Sequence, residues 1–242
     1  MTALIEITGL RKQFGGLTAV DDVSFVVAEG EIVALLGPNG SGKTTVLNMI
    51  SGALAPTSGA IRLAGEEIAG LGPHRIAHKG VARTFQLVRI LPSLTVGENV
   101  MAALAFRHPP VWGGAAEARV ETLLEEIGLG GRGAERADNL TYIDQKRMEL
   151  ARALAAEPRL LLLDEWLSGL NPTELQVGIE LILSLRRSGM TVLLVEHIME
   201  AVRALCSRAV VMNAGRTIAD GPTEAVLADA DVIRAYLGED HA

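Results

Sequence analysis

Between residues 37 and 44 the chain reads Gly37-Pro38-Asn39-Gly40-Ser41-Gly42-Lys43-Thr44, a run whose residue types suit an anion. Glycines let backbone N–H groups close around phosphate oxygens, and a helix starting at Lys43 turns its positive end toward the same charge. The Lys43 ammonium supplies a point charge for the outer phosphates, and the Thr44 hydroxyl offers an oxygen to Mg2+. At this chain's residue frequencies the spacing G-x-x-x-x-G-K-[ST] arises by chance on the order of 0.004 times, which sets accident aside. The competing reading is a Gly-rich turn with no ligand. An apolar run before it and a helical pattern after it favour a nucleotide-phosphate cradle.

Phosphate chemistry needs a second element to hold metal and activate water. Leu160-Leu161-Leu162-Leu163-Asp164-Glu165 ends an apolar run with two carboxylates. Asp164 is suited to face Mg2+ through its water shell, and Glu165 to polarise an attacking water. No N-K-x-D motif for reading guanine occurs, which argues against a GTPase.

Strands and helices must hold these groups in register. Residues 4–8 and 19–27 alternate or run apolar, and residues 32–36 are wholly apolar, so all three read as strands. A helix is expected over 43–50, a helical pattern over about 95–129, and a further helix over 144–156. Beyond these come a strand at 160–163, a helix at about 172–187, a strand at 191–195, a helix at 199–205 and short strands around 209–212 and 217–219. Strands alternating with helices favour a largely parallel α/β sheet, and the β-rich start suggests an antiparallel flap on it.

Hydrophobic residues make up 49% of the 242, and charged residues 21%, which excludes a disordered chain. A chain of this size buries roughly 70–75% of its unfolded surface, so it needs neither disulfides nor structural metal. Its net charge of −7 makes nonspecific nucleic-acid or anionic-membrane binding a poor candidate. Cys206 is the single cysteine, which excludes a disulfide framework and a thiolate zinc site. No apolar run reaches membrane-spanning length, and Glu6 interrupts the N-terminus before it could read as a signal peptide. A reducing, cytoplasmic setting is expected.

With these motifs in place, the chain resembles the ATP-binding cassette (ABC) ATPases over essentially its whole length. Phe14 stands where that family places an aromatic for adenine stacking. Gln86, in Arg83-Thr84-Phe85-Gln86, matches the glutamine of the loop that senses metal and touches the membrane subunit. Ser168-Gly169-Leu170-Asn171-Pro172 resembles the loop after the catalytic carboxylate, and His197 matches the switch histidine that contacts the γ-phosphate. The resemblance implies a P-loop NTPase core with a largely parallel sheet, an antiparallel β subdomain and a helical subdomain. It treats 1–242 as one domain with a helical insert at about 95–139. It implies ATP and Mg2+ as cofactors, with nucleotide contacts from Phe14, Gly37, Pro38, Asn39, Gly40, Ser41, Gly42, Lys43, Thr44 and Thr45. Metal would fall to Thr44, Gln86 and Asp164, and catalysis to Glu165, His197, Gln86 and Lys43. Partners are implied too: membrane-spanning permeases, a second ABC ATPase bound head to tail and, indirectly, a periplasmic solute-binding protein. The chain itself would sit on the inner membrane face.

A narrower likeness is to the branched-chain amino-acid importer ATPases. It rests on residues 81–86, Leu94-Thr95-Val96-Gly97-Glu98-Asn99-Val100, Gly169-Leu170-Asn171-Pro172 and an ending that runs from Asp231 to Glu239. The ending and the Arg-Thr-Phe-Gln loop resemble the LivG-like branch.

The family signature L-S-G-G-Q, which acts on the opposite subunit, departs here to Leu140-Thr141-Tyr142-Ile143-Asp144, followed by Gln145. Ile143 replaces a glycine that lets backbone approach phosphate. Asp144 replaces a neutral glutamine; at about 6 Å and an effective dielectric near 20, its repulsion of a phosphate charge is of order 3 kcal/mol. Thr141 with Asp144 also reads as a capping box, which improves the helix start. Trp166-Leu167 and Ile198 depart from the family as well; exposed apolar groups there would alter a dimer interface, and the equal alternative is that they pack locally. Slow turnover is expected, with ATP binding kept. The alternatives are a degenerate cassette that binds ATP with little hydrolysis, and a soluble ABC ATPase outside transport.

Overall fold

The structure is a computed structural model describing residues 2–237; Gly238 and Glu239 of the C-terminal resemblance lie outside the described residues. In chain order come β1 (Ala3–Phe14), β2 (Leu17–Ala28), β3 (Ile32–Leu36), α1 (Lys43–Ile50), β4 (Ser58–Leu63), β5 (Glu66–Glu67), α2 (Pro73–His78) and β6 (Val81–Arg83). Next are α3 (Val96–Phe106), α4 (Gly113–Glu126), a 3-10 turn (Ala137–Asn139), α5 (Tyr142–Ala155), β7 (Leu160–Asp164), α6 (Pro172–Arg187) and β8 (Thr191–Val195). The described chain closes with α7 (Met199–Leu205), β9 (Arg208–Asn213), β10 (Arg216–Pro222), α8 (Thr223–Leu227) and α9 (Ala230–Leu237).

Two sheets organise these elements. A six-stranded sheet has the order β10-β9-β3-β8-β7-β6, parallel except for β10. A four-stranded antiparallel sheet has the order β2-β1-β4-β5. Strands buried on both faces must feed two cores, and the period of two shows it. Ile32, Ala34, Leu36, Leu161, Leu163, Val192 and Leu194 face a core shared with α3 to α7. Their neighbours Val33, Leu35, Leu160, Leu162, Leu193 and Val195 face a second core shared with α1 and the antiparallel sheet.

The helical pattern expected over 95–129 divides into α3 and α4, because Pro109 and Pro110 interrupt it. Side-chain caps start α3, α5 and α6. Thr95 with Glu98 and Asn171 with Glu174 form full capping boxes on α3 and α6. At α5 the expected box is only half formed. Thr141 Oγ1 accepts the Asp144 N–H at 3.4 Å, but the Asp144 carboxylate turns to Arg132 and Arg147 instead.

The carboxyl ends of β3, β6, β7 and β8 lie side by side in the parallel part of the sheet. They lead respectively into the glycine loop, the Gln86 loop, Glu165 and His197. Open α/β sheets bind ligands at that edge.

Candidate active site

The glycine loop is shaped by its neighbours. Gly37 has φ 142°, and a Cβ added there would collide with the Met212 carbonyl oxygen. Gly42 has φ 104°, and its Cβ would lie 2.6 Å from Ala19 O. Strands β9 and β2 thus press on both ends of the loop and permit no side chain. Helix α1 follows with Gly42 at its N-cap, no side-chain cap and no acidic residue in its first turn. Its uncapped amides and dipole are available to an anion. Lys43 Nζ donates to Gly37 O at 2.6 Å and Pro38 O at 2.8 Å, which holds the ammonium across its own loop. Ala19, Asn39, Gly40, Lys43, Thr44, Thr45 and Glu165 border one cavity here.

Asp164 closes β7 at 7% exposure. Its Oδ2 accepts from Arg83 Nη2 at 2.7 Å, while Arg83 Nη1 donates to Asn48 Oδ1 at 2.7 Å. One guanidinium therefore ties the carboxylate to the helix that carries the glycine loop. In the sequence Arg83 stands only as part of the Gln86 loop motif; the parallel pairing of Arg83 with Leu162 is what brings it to Asp164.

Glu165 collects the remaining groups. Its Oε2 accepts from Gln86 Nε2 at 2.7 Å and lies 3.9 Å from His197 Nδ1. His197 is 62% exposed at its side chain and opens toward solvent. Three strand ends therefore bring an amide, a carboxylate and an imidazole together beside the glycine loop. The oxygen donors of Thr44, Asp164 and Gln86 are hard ligands that suit Mg2+. Among the described residues no group of three His, Cys, Asp or Glu could hold a metal alone, so phosphate and water would complete its shell.

Other expected site residues stand apart. Phe14 sits at the hairpin tip at 48% exposure, with Lys12 Nζ 5.2 Å from its ring, and is not among the residues bordering the cavity. None of Thr141, Tyr142, Ile143, Asp144 and Gln145 borders the cavity of their own chain. The Tyr142 ring lies against Gly169 in the loop after Glu165. Tyr236 was not anticipated: its hydroxyl accepts the Gly37 N–H at 2.8 Å.

The departures from the family pattern prove to be packed. Trp166 is fully buried and its Nε1 donates to Lys146 O at 3.2 Å. Gly178 on α6 makes room, since a Cβ there would lie 2.5 Å from Leu167 Cδ2 and 3.3 Å from Trp166 Cζ3. Ile143 is buried and Ile198 packs against the helical core, so of the two readings of these departures, an exposed patch or local packing, these residues follow local packing. The charge expectation for Asp144 also changes. Burial raises its pKa, but hydrogen bonds from Arg132 and Thr141 and the nearby Arg147 outweigh this and hold it below the ordinary carboxylate range. Arg132 at 2.7 Å and Arg147 at 3.1 Å compensate the charge that was expected to repel phosphate.

Known proteins share this arrangement. A family model described as ABC transporter matches residues 20–168, and one described as Branched-chain amino acid ATP-binding cassette transporter matches 216–242. The chain is 44% identical to the high-affinity branched-chain amino acid transport ATP-binding protein BraF of Pseudomonas aeruginosa, over 98% of each. It is 42% identical to LivG of Escherichia coli K12, a protein of the same description, again over 98% of each. A crystal structure of the ADP conformation of MJ1267, an ATP-binding cassette of an ABC transporter, superposes with a TM-score of 0.89 at 29% identity. It covers 98% of this chain and 100% of that one. The first match takes in the glycine loop, the Gln86 loop and the Glu165 turn in one stretch, and with whole-length relatives at 42–44% identity the chain belongs to the ABC transporter ATP-binding proteins.

Proposed function

We propose that this chain is the ATP-hydrolysing motor of a multi-subunit importer for branched-chain amino acids, and that its catalytic carboxylate is Glu165. The observation that carries the reading is the convergence of Gln86, Glu165 and His197 beside the glycine loop. The amides of the loop and of the α1 start wrap the phosphates, and Lys43 neutralises their outer charge. Glu165 takes the proton of the attacking water, Gln86 orients that carboxylate, and His197 faces the γ-phosphate. Phe14 stacks on the base. Mg2+, when bound, would be held by Thr44, Gln86 and Asp164 and would supply charge neutralisation. The chain is one domain with a helical insert at about 95–139, and a second cassette completes each site through residues 141–145.

The solute rests on the relatives named above and on the match at 216–242. No described helix is long and apolar enough to cross a membrane. In this reading the pore belongs to permease chains that hold this subunit on the inner face. Proteoliposomes containing the permeases, the partner cassette and this chain should take up leucine or isoleucine only with ATP and only when this chain is included. Uptake that persists without it removes the motor assignment.

Turnover as a homodimer is slow in this reading, and the cause is Ile143 rather than Asp144. A lost backbone hydrogen bond to a charged phosphate is worth about 1.5–3 kcal/mol, so Ile143→Gly should raise phosphate release about tenfold or more. Asp144→Gln should leave the rate unchanged and lower stability by about 1–2 kcal/mol, a discounted value because Arg132 is partly exposed. Steady-state phosphate release and melting curves read both effects. Acceleration by Asp144→Gln alone would return the burden to charge repulsion.

A further inference from the structure

Glu196, the residue after β8, is 2% exposed, and its Oε1 accepts the Leu167 backbone N–H at 2.7 Å. Its Oε2 has no hydrogen-bond partner among the described residues. Burial pushes the carboxyl's pKa up, against the pull of the Leu167 N–H and of neighbouring His197. A buried carboxyl with one oxygen unsatisfied is costly, and the hydrolytic steps above make no use of it.

What it touches supplies a reason for keeping it. Glu165 has φ 49°, a left-handed backbone. That conformation is strained for a non-glycine residue and persists only where the surroundings over-determine it. The surroundings do so at four points. Glu165 N–H donates to Val195 O at 2.8 Å, and Ser168 N–H donates to Glu165 O at 3.1 Å. Trp166 is pinned through Lys146 O, and Leu167 N–H is held by Glu196. Val195 and Glu196 are consecutive, so the end of β8 grips the turn on both sides of Trp166. His197 comes next in the chain, which ties the imidazole to the same grip.

We propose that Glu196 is a positioning residue for ATP hydrolysis: by holding the Leu167 N–H it fixes the strained turn that aims Glu165 at the glycine loop. The role rests on the reading of Glu165 as the group that polarises water. Glu196 is buried behind the turn and does not border the glycine-loop cavity, so its loss should act on the chemical step and spare binding. An uncharged acceptor should suffice, because the Leu167 N–H needs only an oxygen lone pair in the same place.

The test compares Glu196→Gln and Glu196→Leu with Glu165→Gln in the purified chain, by steady-state phosphate release, calorimetric ATP affinity and melting. A misplacement of about 1 Å can cost about 10²-fold, so Glu196→Leu should lose tenfold or more in kcat with ATP affinity kept within about threefold. Glu196→Gln, whose amide oxygen can accept the same N–H, should keep kcat within about threefold of the parent. If Glu196→Leu does not fold, Glu196→Asp, which draws the acceptor back by one methylene, is read in its place. A parental kcat in the Leu or Asp variant overturns the proposal, and so does an equal loss in the Gln variant or a parallel loss of ATP affinity. A parental rate in Glu165→Gln overturns instead the underlying reading of the site, and this role falls with it.

Discussion

Glu165→Gln should bind ATP as the parent does and lose hydrolysis by about 10²- to 10⁴-fold, the range for removing a positioned general base. The substitution is nearly isosteric, and the geometry around it survives. The new amide oxygen can still accept from Gln86 Nε2, which now reaches Glu165 Oε2 at 2.7 Å. The turn keeps its shape because Val195 O and Glu196 hold its backbone, not its side chain. What disappears is the ability to accept a proton from water. A negative charge beside the outer phosphates also disappears, so nucleotide should be held at least as tightly and the ATP-bound dimer should accumulate. Phosphate release, ATP affinity and size-exclusion profiles with ATP read the three expectations separately. A variant that hydrolyses at the parental rate shows that Glu165 is not the catalytic carboxylate.

Much of the frame that positions this residue is legible without coordinates, for reasons particular to each element. Reading 32–36 as a strand and 43–50 as a helix matches β3 and α1 residue for residue. One is an unbroken apolar run and the other starts at a glycine turn. Helix α6 also matches, since Asn171, Pro172 and Glu174 mark its start chemically. Strand β1 extends well past residue 8, but register shifts between Ile7 and Leu10 and on toward Gln13 break its alternation. The edge strand β6 has three residues, too few to show a period. Site partners were harder still. The carboxylate of Asp144 is visible in the sequence, but Arg132 reaches it from the loop after α4 only once the chain has folded. Arg83 and Glu196 sit at strand ends whose neighbours are set by sheet order, and no local pattern announces that order.

Lys43→Ala separates binding from chemistry. The ammonium now spans its own loop through Gly37 O and Pro38 O, an arrangement that a bound phosphate would replace with a better acceptor. A unit charge about 4 Å from a phosphate oxygen, at an effective dielectric near 20, is worth about 4 kcal/mol before salt screening. Half of that is already a loss of about thirtyfold in affinity, so binding at micromolar nucleotide should vanish. The cradle itself should persist, because Met212 and Ala19, not Lys43, impose the backbone at Gly37 and Gly42. Melting behaviour should accordingly change little. The loss should also depend on the ligand. AMP lacks the phosphates that Lys43 faces and should bind as it does to the parent, ADP should weaken and ATP should weaken most. Calorimetry with the three nucleotides measures this gradient. Equal weakening of all three would mean that the loop has collapsed rather than lost a charge, and unchanged ATP affinity would remove Lys43 from the phosphate site altogether.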